Sequence, residues 1–191
     1  MLKVNFLASL LIIISACGYG FTSLKNPWEK QGIKTVYVPM FKNKTIEGGA
    51  EVPFTDSLRF YIESRSGKLK LVNSGGDAYI DGEVTSVTLT PGSIQFGTAA
   101  TEAAGGLPNE RLLAATYTVT IKVNLKMIRE SDSKVLWTNS FSQAISMASG
   151  TYTDERSSSD VFIKETNKRQ AIKDLADRMM TFAVDSLLEE F

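Results

Sequence analysis

One thiol in this chain is placed to do chemistry. Cys17 is the single cysteine, and it follows Leu11-Ile12-Ile13-Ile14-Ser15-Ala16. A lone lysine, Lys3, precedes an apolar run from Val4 to Ile14 that only Asn5 and Ser9 interrupt. Charge, apolar stretch and small-residue cleavage site, in that order, read as a secretory signal. The apolar stretch is too short to cross a bilayer of about 30 Å, which takes about 20 residues. Ser15 and Ala16 let the backbone enter a peptidase cleft, and the thiol offers a nucleophile for a diacylglyceryl group. The expectation is a signal over residues 1–16 and an acylated Cys17 as the first mature residue. The competing reading is an ordinary signal followed by a chance free thiol, but a lone cysteine in an exported protein has no internal disulfide partner and needs an explanation, which its place directly after Ile14-Ser15-Ala16 supplies. Buried acyl chains contribute about 0.8 kcal/mol per methylene, so two or three of them anchor a protein essentially for good.

Other chemistry is thin. The chain has no histidine, which removes the commonest general base, the usual metal ligand and every Ser-His or Cys-His arrangement. An enzyme would have to rest on carboxylates, lysine or tyrosine, so no catalytic residue, cofactor or metal is expected. Asp77, Asp81 and Glu83 share one face of a predicted strand; they could hold a cation, or form a hydrated outer face. Lys122 and Lys126 sit four residues apart in another strand and point the same way. Arg129 lies at the end of the same strand and Lys134 beyond the turn. These four cations are either lysines guarding a solvated face and edge or contacts for phosphate. With 21 basic and 21 acidic residues the chain offers no electrostatic case for nucleic acid. Asn43-Lys44-Thr45 matches a glycosylation acceptor, idle in a bacterial lipoprotein.

The elements that must position these groups follow from periodicity. Residues 17–32 mix glycine, aromatics and Pro27 without period and read as a tether, in which Trp28 is free to touch a partner. Residues 34–41 are β-branched and aromatic and predict a first strand, with Pro39 near its end or on an edge. Residues 53–62 predict a helix opening at Pro53, with a stripe of Phe54, Leu58, Tyr61 and Ile62, closed by Gly67. A short strand over 68–72 leads into the turn Asn73-Ser74-Gly75-Gly76. Residues 77–90 predict a long strand whose apolar phase changes between Val84 and Val87, so a bulge is expected at Gly82 or Thr85-Ser86. Strict alternation from Tyr117 to Met127 predicts one packed and one polar face. A polar turn over 129–134 returns the chain as the strand 135–141, with Trp137 on the core phase. Two excursions, 91–111 and 147–158, are rich in small or hydroxyl residues and too long to be idle connections. From 159 to 190 the pattern is helical, with Ile172, Leu175, Ala176, Met179, Phe182, Ala183 and Leu187 on one face.

The order is β-α-β-β-β-β-α in one domain over residues 33–191, and the hydrophobic fraction of 43 % suffices for a core. The fold class predicted is a two-layer α+β sandwich: a mixed, mostly antiparallel sheet of four to five strands with two helices on one face.

Taken together, these segments resemble a known family. Cys17-Gly18-Tyr19-Gly20-Phe21, Ile33 through Thr45 with its "VP-F-N-T" pattern, Phe54-Thr55-Asp56-Ser57-Leu58, Gly76 through Val84, Tyr117-Thr118-Val119, Lys134-Val135-Leu136-Trp137 and the terminal helix are similar to the LPS-assembly lipoproteins (LptE type) of the Gram-negative outer membrane. The resemblance implies a non-catalytic, palmitoylated lipoprotein that plugs the LPS-translocon β-barrel (LptD type). It further implies help in assembling that barrel, LPS binding, and assistance in placing LPS in the outer leaflet. Gly18 after the acylated residue, where an aspartate would signal inner-membrane retention, agrees by the family's sorting rule. Lys122, Lys126, Arg129 and Lys134 become candidate contacts for lipid A phosphates. Two rivals remain: a lipoprotein activator of a peptidoglycan synthase or secretion-channel subunit, whose families share the "VP-F-N" echo, and a carboxylate-based hydrolase.

Overall fold

The computed structural model describes residues 26–65, 69–92, 94–96, 112–114, 116–148 and 159–189. The signal, Cys17, Gly67 and the segments 97–111 and 149–158 lie outside the described residues. In chain order the elements are β1 (Thr35–Tyr37), β2 (Lys42–Asn43), α1 (Glu51–Ser64), β3 (Lys70–Val72), β4 (Ala78–Pro91), β5 (Ile94–Phe96), β6 (Leu112–Ala114), β7 (Thr116–Arg129), β8 (Val135–Ala148) and α2 (Ser159–Glu189). The main sheet has six strands in the order β3-β1-β4-β7-β8, with β2 beside β4 further along. Pairings of β1 with β3 and of β1 and β2 with β4 are parallel, while β4–β7 and β7–β8 are antiparallel. The fold is thus the expected α+β sandwich with a mixed sheet and two helices, and it has one more strand than predicted.

Three departures have physical causes. The strand predicted over 34–41 shortens to β1, because Pro39 has no N–H to give the ladder, and the unpredicted β2 follows just past its expected end. Residues 94–96 of the excursion 91–111 form β5, which pairs with β6 just past the excursion's end and prolongs the β4–β7 pairing. β8 runs seven residues past its expected end at Phe141, because Gln143, Ile145 and Met147 continue the inward phase opposite Ile121, Val119 and Tyr117. The phase change in β4 is a bulge at Thr85, where the register to β7 shifts between Val84 and Ser86. It returns Val87 and Leu89 to the face opposite Ile121 and Val119.

The core lies between the inner face of the sheet and both helices. Val36, Ile80, Val84, Ile121, Val123, Leu125 and Met127 meet Phe54 and Leu58 of α1 and Leu175, Met179, Met180 and Val184 of α2. α1 starts two residues earlier than predicted; Pro53 still falls in the first turn, where its missing N–H leaves no bond unmade. On α2 the buried set drifts along the i±4 ridge from Ile172 to Met180, Val184 and Leu188. That drift rolls Phe182, expected in the core, out to 56 % exposure.

Trp28 is a second correction. It is 4 % exposed, and its Nε1–H donates to the carbonyl of Leu187 at 2.9 Å. The last carbonyls of a helix lack intrahelical partners, so this indole both fills the core and satisfies the end of α2. Asn26 supports it, accepting from Trp28 N and donating to Ile33 O. Residues 26–28 therefore pack on the domain, and Glu29–Gln31 follow as an exposed helical turn. Trp137 is core as predicted, at 3 % exposure.

Phe41 locks the two halves together. Its ring stacks on Phe54 with centroids 6.5 Å apart and lies on the backbone of Gly82, where a Cβ would come within 2.5 Å of the ring. Its N–H donates to Thr55 Oγ1 at 3.0 Å, while Arg59 donates two hydrogen bonds to Val38 O. On propensity alone, Gly82→Ala in a strand interior gains about 0.5–1 kcal/mol. Overpacking against Phe41 reverses the sign, so a loss of about 1–3 kcal/mol is expected in urea denaturation. Combining Gly82→Ala with Phe41→Ala should cost less than the sum of the singles.

Candidate interaction surface

Apart from Asn139 and Gln143, which face the helix layer, the polar positions along the paired lengths of β4, β7 and β8 fall mostly on the face of the sheet away from the helices. Pairing sets them in rows. Lys126 lies between Asp81 and Thr138, Asn124 between Glu83 and Ser140, Lys122 between Ser86 and Ser142. Thr120 lies between Thr88 and Ala144, and Thr118 between Thr90 and Ser146. The hydroxyls partly satisfy one another: Ser140 Oγ donates to Asn124 Oδ1 at 2.8 Å, Thr118 and Ser146 share a bond of 3.1 Å, and Ser86 and Thr88 one of 3.2 Å. Beyond the row of Lys122 the described surface carries no charge. Neutral hydroxyls and amides make a surface that contacts other polar groups without imposing a sign of charge.

The predicted cations separate. Lys122 and Lys126 are exposed on this face, about 13 Å apart at the strand rise. Arg129 belongs to the other side: its guanidinium is 24 % exposed, pairs with Asp132 at 3.1 Å and reaches Gln31 O. Lys134 is exposed in the β7–β8 turn, where its backbone N–H donates to Asp132 Oδ1. Backbone donation from Lys134, then the charge of Arg129, holds the Asp132 carboxyl below its ordinary value. The structure thus brings two of the four candidates together.

The three carboxylates have structural work. Asp81 pairs with Lys42 at 2.9 Å, and hydrogen bonding to Asp81 raises the Lys42 ammonium above its ordinary value. Glu83 stands 4.0 Å from Lys44. Asp77 turns to β1, where Oδ2 accepts from Lys34 N, Thr35 N and Thr35 Oγ1 at 2.8–2.9 Å. The trio's oxygens are thus turned to Lys42, Lys44 and the start of β1, and among the described residues no group of three or more His, Cys, Asp or Glu could hold a metal ion.

Two depressions on the helical side were not foreseen. One, of about 380 Å³, opens between α1 and α2 beside Val52, Phe60, Lys173 and Asp177. The other, of about 500 Å³, lies between α1 and β3 and includes Arg59, Glu63 and Asn73. Phe60 stands between them at 62 % exposure. Its position off the Phe54–Leu58–Ile62 stripe was the signal available in the sequence. At the helix contact Ser57 donates to the Asp177 carboxylate, and Arg65 pairs with Asp185. Lys168 of α2 pairs with Glu47 at 2.8 Å and with Glu165 at 2.9 Å; burial pushes its ammonium down, but the two carboxylates outweigh that and raise it.

Comparison with known proteins adds one strong match. The family model described as "LptE: Lipopolysaccharide-assembly" matches residues 33–185. No curated protein matches the sequence. Among solved structures, the PelC dodecamer from Paraburkholderia phytofirmans is 10 % identical, covering 82 % of this chain and 88 % of its own, with a TM-score of 0.48. The hypothetical protein CT253 from Chlamydia trachomatis is 10 % identical over 82 % of this chain and 98 % of its own, with a TM-score of 0.49. Lipoprotein GNA1162 from Neisseria meningitidis is 11 % identical over 72 % and 96 %, with a TM-score of 0.39. These are distant likenesses.

Asp77 carries a pH prediction. Backbone donation from Lys34 and Thr35, then the Thr35 hydroxyl, holds its carboxyl below the ordinary 3.8. A carboxyl depressed in the folded state binds its proton more readily when unfolded, so its stabilisation is complete above that ordinary value. It is lost as pH falls through the folded value. Asp77→Asn should cost about 1–2 kcal/mol at pH 7 through weakened hydrogen bonds. Denaturation curves of the two proteins should converge as pH drops below about 4; a gap unchanged at pH 2.5 would refute the assignment.

Proposed function

The chain belongs to the LptE family of lipopolysaccharide-assembly proteins, and from that premise we propose that it is a lipid-anchored plug for the LPS-translocon β-barrel in the outer membrane. In this reading it occupies the barrel lumen, helps the barrel assemble, and assists passage of LPS into the outer leaflet. The observation that supports it is the outer face of the sheet. A barrel of more than 20 strands leaves a lumen that must be plugged, and such an interior is polar. A surface of Ser, Thr and Asn, with the charges of β4 and β7 confined to Asp81, Glu83, Lys122 and Lys126, suits that environment better than an apolar patch would.

Acylated Cys17 holds the domain at the membrane. The nine residues from Cys17 to Lys25 reach at most about 30 Å when fully extended. That short span favours a partner at the membrane over a peptidoglycan synthase reached across the periplasm. Lys122 and Lys126 are the contacts for lipid A phosphates, two cations on one exposed face; Lys134 stands at its end, and Arg129 is committed to Asp132.

Full-length protein purified from detergent-solubilised outer membranes should carry a large β-barrel at equal stoichiometry, read by mass spectrometry. A cell-wall synthase in its place, or no companion, refutes the plug reading. Cys17→Ser should leave the outer-membrane fraction. Separately, Lys122→Ala with Lys126→Ala should weaken capture of purified LPS several-fold while the barrel still co-purifies; unchanged capture removes the lysines from the proposal.

A further inference from the structure

Phe60 is the exposed aromatic of α1, at 62 % exposure. Tyr61 holds its ring edge-on with centroids 5.3 Å apart, so the ring is ordered without being covered. It lines both depressions of the helical side, and so does Asp56, whose carboxylate makes no hydrogen bond or ion pair among the described residues. Val52 extends the apolar wall on one side, Leu71 and Val72 on the other. Covering such a ridge removes apolar surface from water, and what covers it must stand within reach.

The chain's own amino-terminal segment enters the domain at the near end of this ridge. Asn26 is fixed to Ile33 O and to Trp28, where Trp28 meets the end of α2 and Arg65 pairs with Asp185. Phe60 lies five residues before Arg65, about 8 Å along the helix. The depression between α1 and β3 begins at Leu71, paired with Val36, about 10 Å along the sheet from Ile33. Phe21 and Tyr19 stand five and seven residues before Asn26, about 17 and 24 Å from it when the chain is extended. We infer that Tyr19 and Phe21 pack over Phe60, so that segment 18–24 closes the two depressions of its own domain.

Three properties select this occupant. Two residues apart, the rings project to the same side of an extended chain, and aromatic rings favour centroid spacings of about 4.5–7 Å. Gly18 and Gly20 leave the backbone bare for close approach; their N–H groups and the Tyr19 hydroxyl offer donors to Asp56, and residues 18–24 bring no charge. A segment tethered this closely meets its site at an effective concentration in the mM range, so a weak contact suffices, and a separate partner would have to displace it. With Phe21 docked, Cys17 stands four residues away, a span of about 14 Å at most, which holds the domain close to its lipid anchor. The inference does not rest on the barrel reading.

The test uses full-length acylated protein purified in detergent with whatever companion it retains. Irradiation of p-benzoylphenylalanine in place of Phe60 should cross-link it to peptide 18–25 of the same chain, read by mass spectrometry. The same probe in place of Phe182, also more than half exposed, should not reach that peptide. Mixing isotope-labelled with unlabelled protein should give only unmixed products. Tyr19→Ser with Phe21→Ser should lower the yield at least tenfold while circular dichroism stays unchanged. No product with 18–25, an equal yield from position 182, a yield indifferent to the double variant, mixed-label products, or cross-linking to another polypeptide in its place would overturn it.

Discussion

The contact between the Phe41 ring and the bare backbone of Gly82 is the constraint on which the architecture rests. It fixes how closely the β1–β2 crossover approaches β4, and through Phe54 it fixes where α1 lies over both. A second approach of the same kind occurs at Gly76, where a Cβ would stand 2.9–3.2 Å from Ala78 O, Tyr37 N and Val36 C. Backbone touches backbone or ring at both ends of one segment. Thr55 and Arg59 then tie the intervening loop to α1 by its polar atoms. The family pattern Val38-Pro39…Phe41…Asn43 is therefore a mechanical clasp. Asn43 ends it, donating to Glu47 O and Glu51 Oε2.

What could be read from the sequence was what alternation or helical period encodes over many residues. The inward row of β7, the bulge at Thr85, the β7–β8 hairpin, Trp137 and both helices are of that kind. Local signals failed where a long-range contact decided the outcome. Trp28 sits in an aperiodic stretch and is claimed by the end of α2, 159 residues away. Phe182 fits a straight stripe, but the buried stripe on α2 is slanted. Of the candidate site, the pairing of Lys122 with Lys126 followed from the period of two. The separation of Arg129 did not, although its odd register already set it on the other side.

Lengths explain how the two layers divide. α2 has 31 residues, about 46 Å at the helical rise. β4, β7 and β8 have 14 residues each, about 46–48 Å at the strand rise. One helix thus matches the strands along their whole extent. α1, with 14 residues, spans about 21 Å and covers the end where β1 and β3 add width. Exposure on β4 rises accordingly from Ala78 to Pro91. The narrow end of the sheet has one helix behind it and a neutral hydroxyl face in front.

That narrow end is suited to being held by other polypeptide on the hydroxyl side. A bare sheet face of lysine and glutamate would be bound to water and ions, and enclosing it would leave charges to be matched one by one. Hydroxyls donate and accept in either sense. Pairs such as Thr118 with Ser146 can re-aim their protons toward a new partner without stranding a donor. The bulge at Thr85 keeps this arrangement in phase. Without it, Val87 and Leu89 would turn outward among the hydroxyls and Ser86 and Thr88 inward against Ile121 and Val119. One extra residue therefore keeps the inner face mainly apolar and the outer face polar, uncharged beyond the row of Lys122, along the long strands.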